Sequence, residues 1–506
     1  MASTGLLGPA ARLPGRAAQL AGPATRLAGP APRLLGHRGT GWLAVPVLLA
    51  AAGTGAATAL GPEKAVAAVL VLVVAACVWR WPVLAAYVVI GLTPLTTGLS
   101  ISSLPLIRPN EALDLLVGLV LVARGLVRMR AGALPRPRLG RVELALVLVA
   151  VANSVVPLLW MTVRQEPISQ DDLLYALVMW KLLGLYAIVR SAVSTDQQVR
   201  RCLWLSVAVA CVVALVAIFQ TLGLFGVPGL LFSYYGKYSA GAQGVQGGRG
   251  SSTLGLPAAT ADLLIFNLAI VTGLWMRYRR HRVVLAGAAA LCVAGALAAG
   301  EFSSAIGLAV GLICIAIVTR SPRLLTIFIP VLIAGGLLLR TVISQRLSGF
   351  HSASGLPVSW TGRLQNLRTY FWPKLFSDWN FVLGVRPAAR VAVPDQYAGF
   401  VWIESGYTWL LWGGGIPLLA SFLFFVWVVA QRGWIAARRG SDARSVAGIA
   451  VFTAVIVITV LMAFDPHLTY RGSADEFFAL IALAYLPART APGTERMMTE
   501  VRRDSG

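Results

Sequence analysis

One carboxylate stands in front of a long apolar run, in a position suited to proton transfer. Glu404 lies in the sequence Trp-Ile-Glu-Ser-Gly-Tyr-Thr-Trp, just before a run that predicts a helix over 405–430. A carboxylate at the amino-terminal end of a helix is stabilised by the helix dipole, which alone can account for this residue. The same position also suits a general base for a hydroxyl group, and Tyr407, one turn on, shares its predicted face. The sequence leaves both interpretations of Glu404 open.

The second chemically capable group is a set of cations between apolar runs. Segment 341–404 holds Arg363, Arg368 and Arg386, and segment 225–255 holds Lys237 and Arg249. Arginine binds phosphate through a planar fork of two hydrogen bonds and stays charged at any relevant pH. Aromatic side chains between these cations suit stacking on sugar rings. The set indicates a phosphate-bearing, glycan-containing ligand; the alternative is that the cations meet lipid headgroups and the aromatics form an interfacial belt.

Further polar residues fall in short turns between predicted spans. Glu301 follows one apolar run, and Asp465 and His467 lie in the last turn of the chain, so we count His467 among the substrate-binding candidates. Lys181 lies within a span, either as the partner of a carboxylate or facing a polar cavity. The five cysteines lie in apolar runs without Cys-x-x-Cys or Cys/His spacing, so we predict no disulfide and no metal site.

The elements that must position these residues are membrane helices. Of the 506 residues, 57% are apolar and 12% are charged, and the mean hydropathy is +0.75. Soluble domains are about 25% charged, so these values exclude a soluble enzyme and a disordered chain. The sequence predicts an all-α polytopic transmembrane bundle of about 12–14 spans, each about 20 residues long. The predicted helices lie near 42–60, 64–79, 82–97, 111–128, 143–161, 173–190, 202–224, 256–276, 283–299, 304–319, 323–340, 405–430, 446–463 and 474–487. The pair 64–79 and 82–97 could also form one broken element, because only two residues separate them.

The excess of basic residues follows the predicted topology. There are 43 lysines and arginines against 20 acidic residues, a net charge of +23. In a soluble protein this would indicate nucleic acid, but here the cations cluster between apolar runs, so we predict no nucleic-acid partner. Most of them fall on one side when the amino terminus is placed in the cytoplasm, as the positive-inside rule requires. We therefore predict a multi-pass membrane protein with both termini cytoplasmic and segments 225–255 and 341–404 facing outward. The 39 arginines against 4 lysines indicate a GC-rich bacterial genome, so the membrane is predicted to be the bacterial cytoplasmic membrane.

Pattern changes along the chain divide it into five segments. Residues 1–41 repeat a Gly-Pro-Ala-x-Arg-Leu motif with too much proline and glycine for a helix, which predicts a disordered basic tail, either lipid-bound or simply solvated. The predicted order is the cytoplasmic tail 1–41, transmembrane helices over 42–340 with an outward loop at 225–255, a large external loop at 341–404, three final helices over 405–487 and a cytoplasmic tail at 488–506.

Two local patterns refine this plan. Within 362–379, apolar residues recur at helical spacing among cations, which predicts an amphipathic helix on the membrane surface that Pro373 kinks or ends. The triplet Gly413-Gly-Gly415, followed by Pro417, predicts a bend in the helix that Glu404 precedes, or a close approach by a neighbour.

These residues and their order resemble the O-antigen ligase and O-antigen polymerase family of polytopic membrane glycosyltransferases. Thr361-Gly-Arg363, a tryptophan-rich stretch and Leu383-Gly-Val-Arg386 resemble the family's large external loop. Glu404-Ser405, followed by Gly413-Gly-Gly-Ile-Pro, resembles the start of its next span, and the segment from Arg249 to Pro257 resembles its arginine-led loop. The chain departs from the family in two places. Glu404 stands where the ligases have a catalytic histidine, and Ser304 stands where an arginine is usual.

The resemblance implies a metal-free, cofactor-free and inverting transfer of a glycan from a polyprenyl-pyrophosphate carrier to a glycan or lipid acceptor, among membrane lipids. Carried over by position, Arg249, Arg363 and Arg386 would bind the diphosphate, and Glu404 would accept the acceptor's proton. Arg363 and Glu404 are then the catalytic candidates. Polymerase and ligase are not separated by any residue, although the missing histidine favours a polymerase. A transporter or flippase of lipid-linked glycans and a non-catalytic envelope-assembly scaffold remain as alternatives.

Overall fold

The computed structural model describes residues 62–99, 108–130, 139–235, 248–338, 340, 344, 358–393 and 399–485. The chain forms two units, Met1–Val69 and Leu70–Gly506. The described part of the first unit is the opening of a helix that begins at Pro62. The helices and loops that carry the described candidate residues belong to the second unit. The predicted tails 1–41 and 488–506, the predicted helix 42–60 and Lys237 lie outside the described residues.

The first six described helices follow the predicted pattern, whereas the seventh, Leu224–Tyr235, lies in segment 225–255, which the sequence analysis predicted to be an outward loop. Trp81 and Pro82 separate the first two, so 64–79 and 82–97 form two helices rather than one broken element. Proline has no amide hydrogen to continue a helical ladder, which fits a boundary at this point. The helices are α1 Pro62–Arg80, α2 Val83–Thr96 with a π-helical turn, α3 Pro109–Arg130, α4 Arg141–Val163, α5 Gln170–Ala192, α6 Asp196–Leu222 and α7 Leu224–Tyr235.

The second half adds nine helices and one short hairpin among the described residues. The helices are α8 Pro257–Arg277, α9 Arg279–Ala298, α10 Phe302–Thr319, α11 Arg323–Leu338, α12 at 358–375, α13 Asn380–Leu383, α14 Gly406–Arg439, α15 Asp442–Leu461 and α16 Ser473–Ala484. Two antiparallel strands, β1 Arg390–Ala392 and β2 Phe400–Trp402, pair Val391 with Val401. The hairpin was not predicted, and α14 is longer than the predicted 405–430.

Among the residues that the structure describes, eight helices are long and apolar enough to cross a membrane: α4, α5, α6, α8, α9, α10, α14 and α15. They confirm an all-α polytopic bundle, and the chain is a multi-pass membrane protein. The outer helices expose large apolar side chains such as Leu148, Val212 and Val283, as lipid-facing surfaces do. By contrast, α8 is buried from Pro257 to Leu274, between α6, α9, α10, α15 and α16. The core of the bundle therefore lies around α8.

The glycine triplet in α14 breaks the helix where the sequence predicts a bend. Gly415 has φ 63° and ψ −153°, a backbone conformation that side chains other than glycine rarely adopt. A Cβ atom on Gly415 would lie 2.3 Å from the carbonyl oxygen of Val382, so α13 packs into the break. The amide groups of Val385 and Arg386 donate to the carbonyl of Trp412, at 2.7 and 3.2 Å. The break in α14 therefore provides the surface against which α13 and the residues after it pack.

The predicted amphipathic helix at 362–379 corresponds to α12. It contains a π-helical turn at Leu367–Phe371 and continues through Pro373 to Leu375, so the proline does not end it. Leu367, Phe371 and Leu375 are buried, and the Phe371 ring meets Trp412 of α14 edge to face at 5.2 Å. The apolar side of α12 is covered by protein, whereas the sequence analysis assigned it to the membrane surface. Its position is a correction to that interpretation, because a local pattern cannot tell a lipid from a neighbouring helix.

Candidate functional site

The loops that the sequence places on one face lie at one end of the bundle. This end, called the Arg363 end, collects the turn after α4, the chain between α13 and α14, the start of α8 and the turn between α15 and α16. Hydrogen bonds join these loops to one another, as between the Arg164 guanidinium group after α4 and the Val385 carbonyl after α13 at 2.7 Å. The opposite end, called the Arg277 end, carries the turns after α8, α10 and α14.

Arg363 lies between two carboxylates from different parts of the chain. Its Nη1 atom is 2.6 Å from Oδ2 of Asp465, and its Nε atom is 3.5 Å from Oε1 of Glu404. The Asp465 side chain is 9% exposed and the Glu404 side chain 32%, so only Glu404 of the two offers substantial access to a ligand. The structure thus brings the two catalytic candidates, Arg363 and Glu404, together and adds Asp465.

Three elements hold these side chains in place. Glu404 directly precedes Ser405, whose Oγ accepts a hydrogen bond from the Thr408 amide at 3.3 Å and starts α14. Asp465 lies just after α15, where its amide donates to the Leu461 carbonyl at 3.2 Å. Arg363 projects from α12, which Trp360 holds against Phe464 with ring centroids 5.0 Å apart. Because the rings fix α12 next to Asp465, the guanidinium group has little freedom to leave.

A second ion pair belongs to the same site. Nη1 of Arg249 lies 3.1 Å from Oε1 of Glu301, and the Arg249 carbonyl accepts a hydrogen bond from the Gln220 amide group at 2.6 Å. The negative charge of Glu301 raises the pKa of Arg363, Glu404 and Asp465, so this pair lies within electrostatic range of them. We call the set Arg249, Glu301, Arg363, Glu404 and Asp465 the Arg363 cluster. It holds two cations and three carboxylates.

His467 lies beneath this cluster and is not accessible. Its Nδ1 atom is 2.7 Å from Oδ2 of Asp262, and both side chains are 1% exposed. Its ring packs against Tyr470 at 4.7 Å, and its backbone amide donates to the Asp465 carbonyl at 2.8 Å. The sequence analysis counted His467 as substrate-binding. In the structure it supports the turn that carries Asp465 instead, since no substrate reaches a side chain this buried.

Burial changes the pKa of Glu404 and of Asp465, the two carboxylates that pair with Arg363. Burial raises the pKa of Glu404, Arg363 opposes that rise, and the negative charge of Asp465 reinforces it. Burial also raises the pKa of Asp465, again against the nearby Arg363 charge. For Arg363, burial lowers the pKa, but the surrounding acidic groups outweigh it and the net pKa is raised. A carboxylate with a raised pKa is a stronger proton acceptor once it is deprotonated, and proton acceptance is what a general base supplies.

Arg386 lies outside the Arg363 cluster. Its Nε and Nη2 atoms bind the two carboxylate oxygens of Asp172 at 3.0 and 2.7 Å. Asp172 is fully buried and caps α5 together with Ser169. Next to this pair, Arg390 binds Asp171 and lies over the Phe400 ring. We call Asp171, Asp172, Arg386 and Arg390 the Asp172 anchor, because they fasten the segment between α13 and α14 to the start of α5.

The remaining candidates lie apart from the cluster or lack a ligand-facing position. The Tyr407 hydroxyl donates to the Thr459 carbonyl at 2.8 Å and so faces α15. Arg368 is exposed on the π-helical turn of α12. Lys181 pairs with Asp475 at 3.0 Å and Glu111 at 3.5 Å, so of its two interpretations the partner of a carboxylate describes the structure.

The partners of the arginines are what sequence reasoning missed. Asp465 and Glu301 were placed on the same face as Arg249 and Arg363 but received no role, and Asp171 and Asp172 were not considered. The sequence contains one signal that could have identified these partners, namely the small number of acidic residues. With 20 acidic residues against 43 basic ones, an aspartate next to the end of an apolar run has a choice of cations to pair with.

Comparison with known proteins does not assign this site to a family. No protein-family model, no curated protein and no solved structure matches the chain. The family resemblance of the sequence therefore stays a prediction.

Proposed function

We propose that the chain is a membrane glycosyltransferase that transfers or polymerises polyprenyl-pyrophosphate-linked oligosaccharide on the external face of the bacterial cytoplasmic membrane, in the manner of O-antigen polymerases and ligases. One observation carries the proposal: a partly exposed carboxylate, Glu404, shares Arg363 with Asp465 at one end of a membrane bundle. A base beside a fixed cation is what transfer from a diphosphate carrier needs.

In this proposal Glu404 accepts the proton of the acceptor hydroxyl. The acceptor oxygen forms a bond to the anomeric carbon of the donor while the bond from that carbon to the diphosphate oxygen breaks. The electron pair leaves with polyprenyl pyrophosphate, and the configuration at the anomeric carbon is inverted. Burial supports this role because it raises the pKa of Glu404 and strengthens it as a base.

The two arginines of the cluster have separate tasks. Arg363 is 23% exposed and in contact with both Glu404 and Asp465, so it orients the base and stabilises its charge. Arg249 is 36% exposed and pairs with one carboxylate, Glu301, among the described residues, which makes it the first contact for the diphosphate. The diphosphate exchanges with Glu301 for the guanidinium fork, and the arginine then stabilises the charge that develops on the leaving group. Arg386 has no part in this, since Asp172 occupies it.

Lipid-linked glycans in cells with and without the protein test the proposal. If single repeat units accumulate without it, the protein is a polymerase, and if long lipid-linked polymers accumulate, it is a ligase. Unchanged lipid-linked glycans would contradict the transferase proposal and leave a scaffold.

A transporter or flippase is the second candidate, and one observation favours it. Glu476 is buried in the middle of the bundle, where it accepts hydrogen bonds from Ser206 and from the Asn267 amide at 2.7 Å. Polar groups within the span interiors are what a passage for a polar headgroup requires. Accumulation of lipid-linked glycan on the cytoplasmic leaflet alone, in cells that lack the protein, would select this candidate over the transferase.

A further inference from the structure

A cavity of about 270 Å³ opens at the Arg277 end of the bundle. Three arginines line it, and each stands at the carboxyl end of a helix: Arg277 ends α8, Arg320 follows α10, and Arg438 lies in the last turn of α14. At an α-helical rise of about 1.5 Å per residue, Arg277 is about 22 Å along α8 from Asp262, which lies beneath the Arg363 cluster. The cavity is therefore separate from the candidate site, and what it binds does not depend on the proposed function.

Within the described part of the chain, acidic side chains balance only part of the positive charge around this cavity. Arg277 donates to Asp442 at 3.1 Å and to the Ser445 hydroxyl at 2.9 Å. Arg320 and Arg438 have no acidic partner among the residues that the structure describes, and Arg438 lies over the Trp434 ring at 3.7 Å. Helix dipoles favour single cations at helix carboxyl ends. They do not account for two unpaired guanidinium groups that face one opening and repel each other.

The backbone at Arg320 adds an independent observation. Arg320 has φ 53° and ψ 34°, the left-handed conformation that usually ends a helix on glycine. A non-glycine residue is uncommon in this conformation, and such backbone strain clusters at functional sites. The chain thus places a long cationic side chain beside the cavity where glycine would be more stable.

We propose that this cavity binds a phosphate group, from a lipid headgroup or as free phosphate, with Arg320 and Arg438 as its principal ligands and Arg277 as the third. Guanidinium forks match phosphate oxygens, and cationic pockets between membrane helices are suited to anionic headgroups. The volume is below the range of about 300–1,000 Å³ that is usual for pockets of drug-sized ligands, which fits a phosphate group better than a whole glycan.

Binding of three probes to the purified full-length protein in neutral detergent tests this inference. The probes are inorganic phosphate, dioctanoyl phosphatidic acid and dioctanoylglycerol, the last being the same lipid without phosphate. The variants are Arg438→Gln and Arg320→Gly, singly and together. The control is Arg282→Gln, which removes an exposed arginine over a tryptophan at the same end but outside the cavity.

We expect each single variant to weaken binding of a phosphate-bearing probe about tenfold and the double variant about a hundredfold, because each removes charge-assisted hydrogen bonds. Arg282→Gln should leave binding unchanged. Arg320→Gly should also raise the melting temperature, since glycine relieves the left-handed strain, so weakened binding in that variant is not a folding defect.

The three probes separate the sources of the phosphate. Binding of phosphatidic acid without inorganic phosphate identifies a lipid headgroup, the reverse identifies free phosphate, and binding of both shows recognition of phosphate from either source. The proposal is overturned if neither phosphate-bearing probe binds, if dioctanoylglycerol binds equally well, or if the cavity variants weaken binding no more than Arg282→Gln.

Discussion

Two arginines of one segment, Arg363 and Arg386, have opposite surroundings. Arg363 is shared by two carboxylates, one of which, Glu404, is a third exposed. Arg386 is forked onto a single carboxylate, Asp172, which is fully buried. An accessible, shared partner leaves room for proton chemistry and ligand exchange, whereas a buried and saturated partner fixes the backbone. The difference teaches that the exposure of the partner, and not the arginine itself, separates the proposed reactive site from an attachment point.

The largest expected effect follows from removing the base. Glu404→Gln keeps the shape of the side chain but cannot accept a proton, so polymer or ligated product should fall by about 10²–10⁴-fold. The measurement is glycan product per unit of protein in cells that carry the variant in place of the natural chain.

Glu166→Gln is a matched control for that experiment. Glu166 is 28% exposed and lies 3.5 Å from Arg164, almost the exposure and distance of Glu404 from Arg363. It lies outside the Arg363 cluster, so product should stay within about twofold of the natural protein. Equal losses in both variants would remove the distinction between the cluster and other ion pairs at this end.

Breaking the Asp172 anchor should affect stability first. Arg386→Gln leaves the buried carboxylate of Asp172 without its cation, which should lower the free energy of unfolding by about 3 kcal/mol. Thermal unfolding in mild detergent measures this, with the exposed Arg368→Gln as control, expected within about 0.5 kcal/mol. If Arg386→Gln is as stable as the natural protein but loses glycan transfer, Arg386 belongs to the reactive site and the comparison fails.

Adding a side chain at the break in α14, into which α13 packs, should lower the free energy of unfolding by a somewhat smaller amount. Gly415→Ala introduces a Cβ at a left-handed position 2.3 Å from the Val382 carbonyl, and should destabilise by about 2–3 kcal/mol. Gly184→Ala is the control, because Gly184 is helical and a Cβ there meets nothing within 4 Å. It should stabilise by about 0.5–1 kcal/mol. Similar melting temperatures for the two variants would show that the segment does not depend on the break in α14.

The smallest expected effect is on the pH dependence of transfer, which should change in the Arg363 variant and not in the Arg386 variant. A general base must be deprotonated, so the rate rises with pH through the pKa of Glu404, which burial raises above the ordinary glutamate value of about 4.3. Arg363 opposes this rise, so Arg363→Gln should move the acidic limb to higher pH. Arg386→Gln should leave the limb in place. The measurement is the transfer rate of the natural and variant proteins as a function of pH. If the acidic limb does not shift in Arg363→Gln, Glu404 is excluded as the titrating base.

Local signals account for the helices and for part of the site. Apolar runs bounded by arginines predicted the helices, and Gly413–Gly415 predicted the break in α14, because span length and glycine geometry act within a few residues. Glu404 and Arg363, which lie next to each other, were chosen together as catalytic candidates. Their third partner, Asp465, was not, and neither was the link between Arg386 and Asp172, 214 positions apart. Pairing over such distances depends on which loops the bundle brings to one end, which no local pattern contains.

The most direct test of the central claim uses the purified protein in liposomes with a polyprenyl-pyrophosphate-linked oligosaccharide and an acceptor. The release of polyprenyl pyrophosphate is measured for the natural chain and for Glu404→Gln. The account predicts release with the natural chain, coupled to a longer or ligated glycan, and almost none with the variant. No release from the natural chain, or equal release from both, would contradict a glycosyltransferase in which Glu404 is the base.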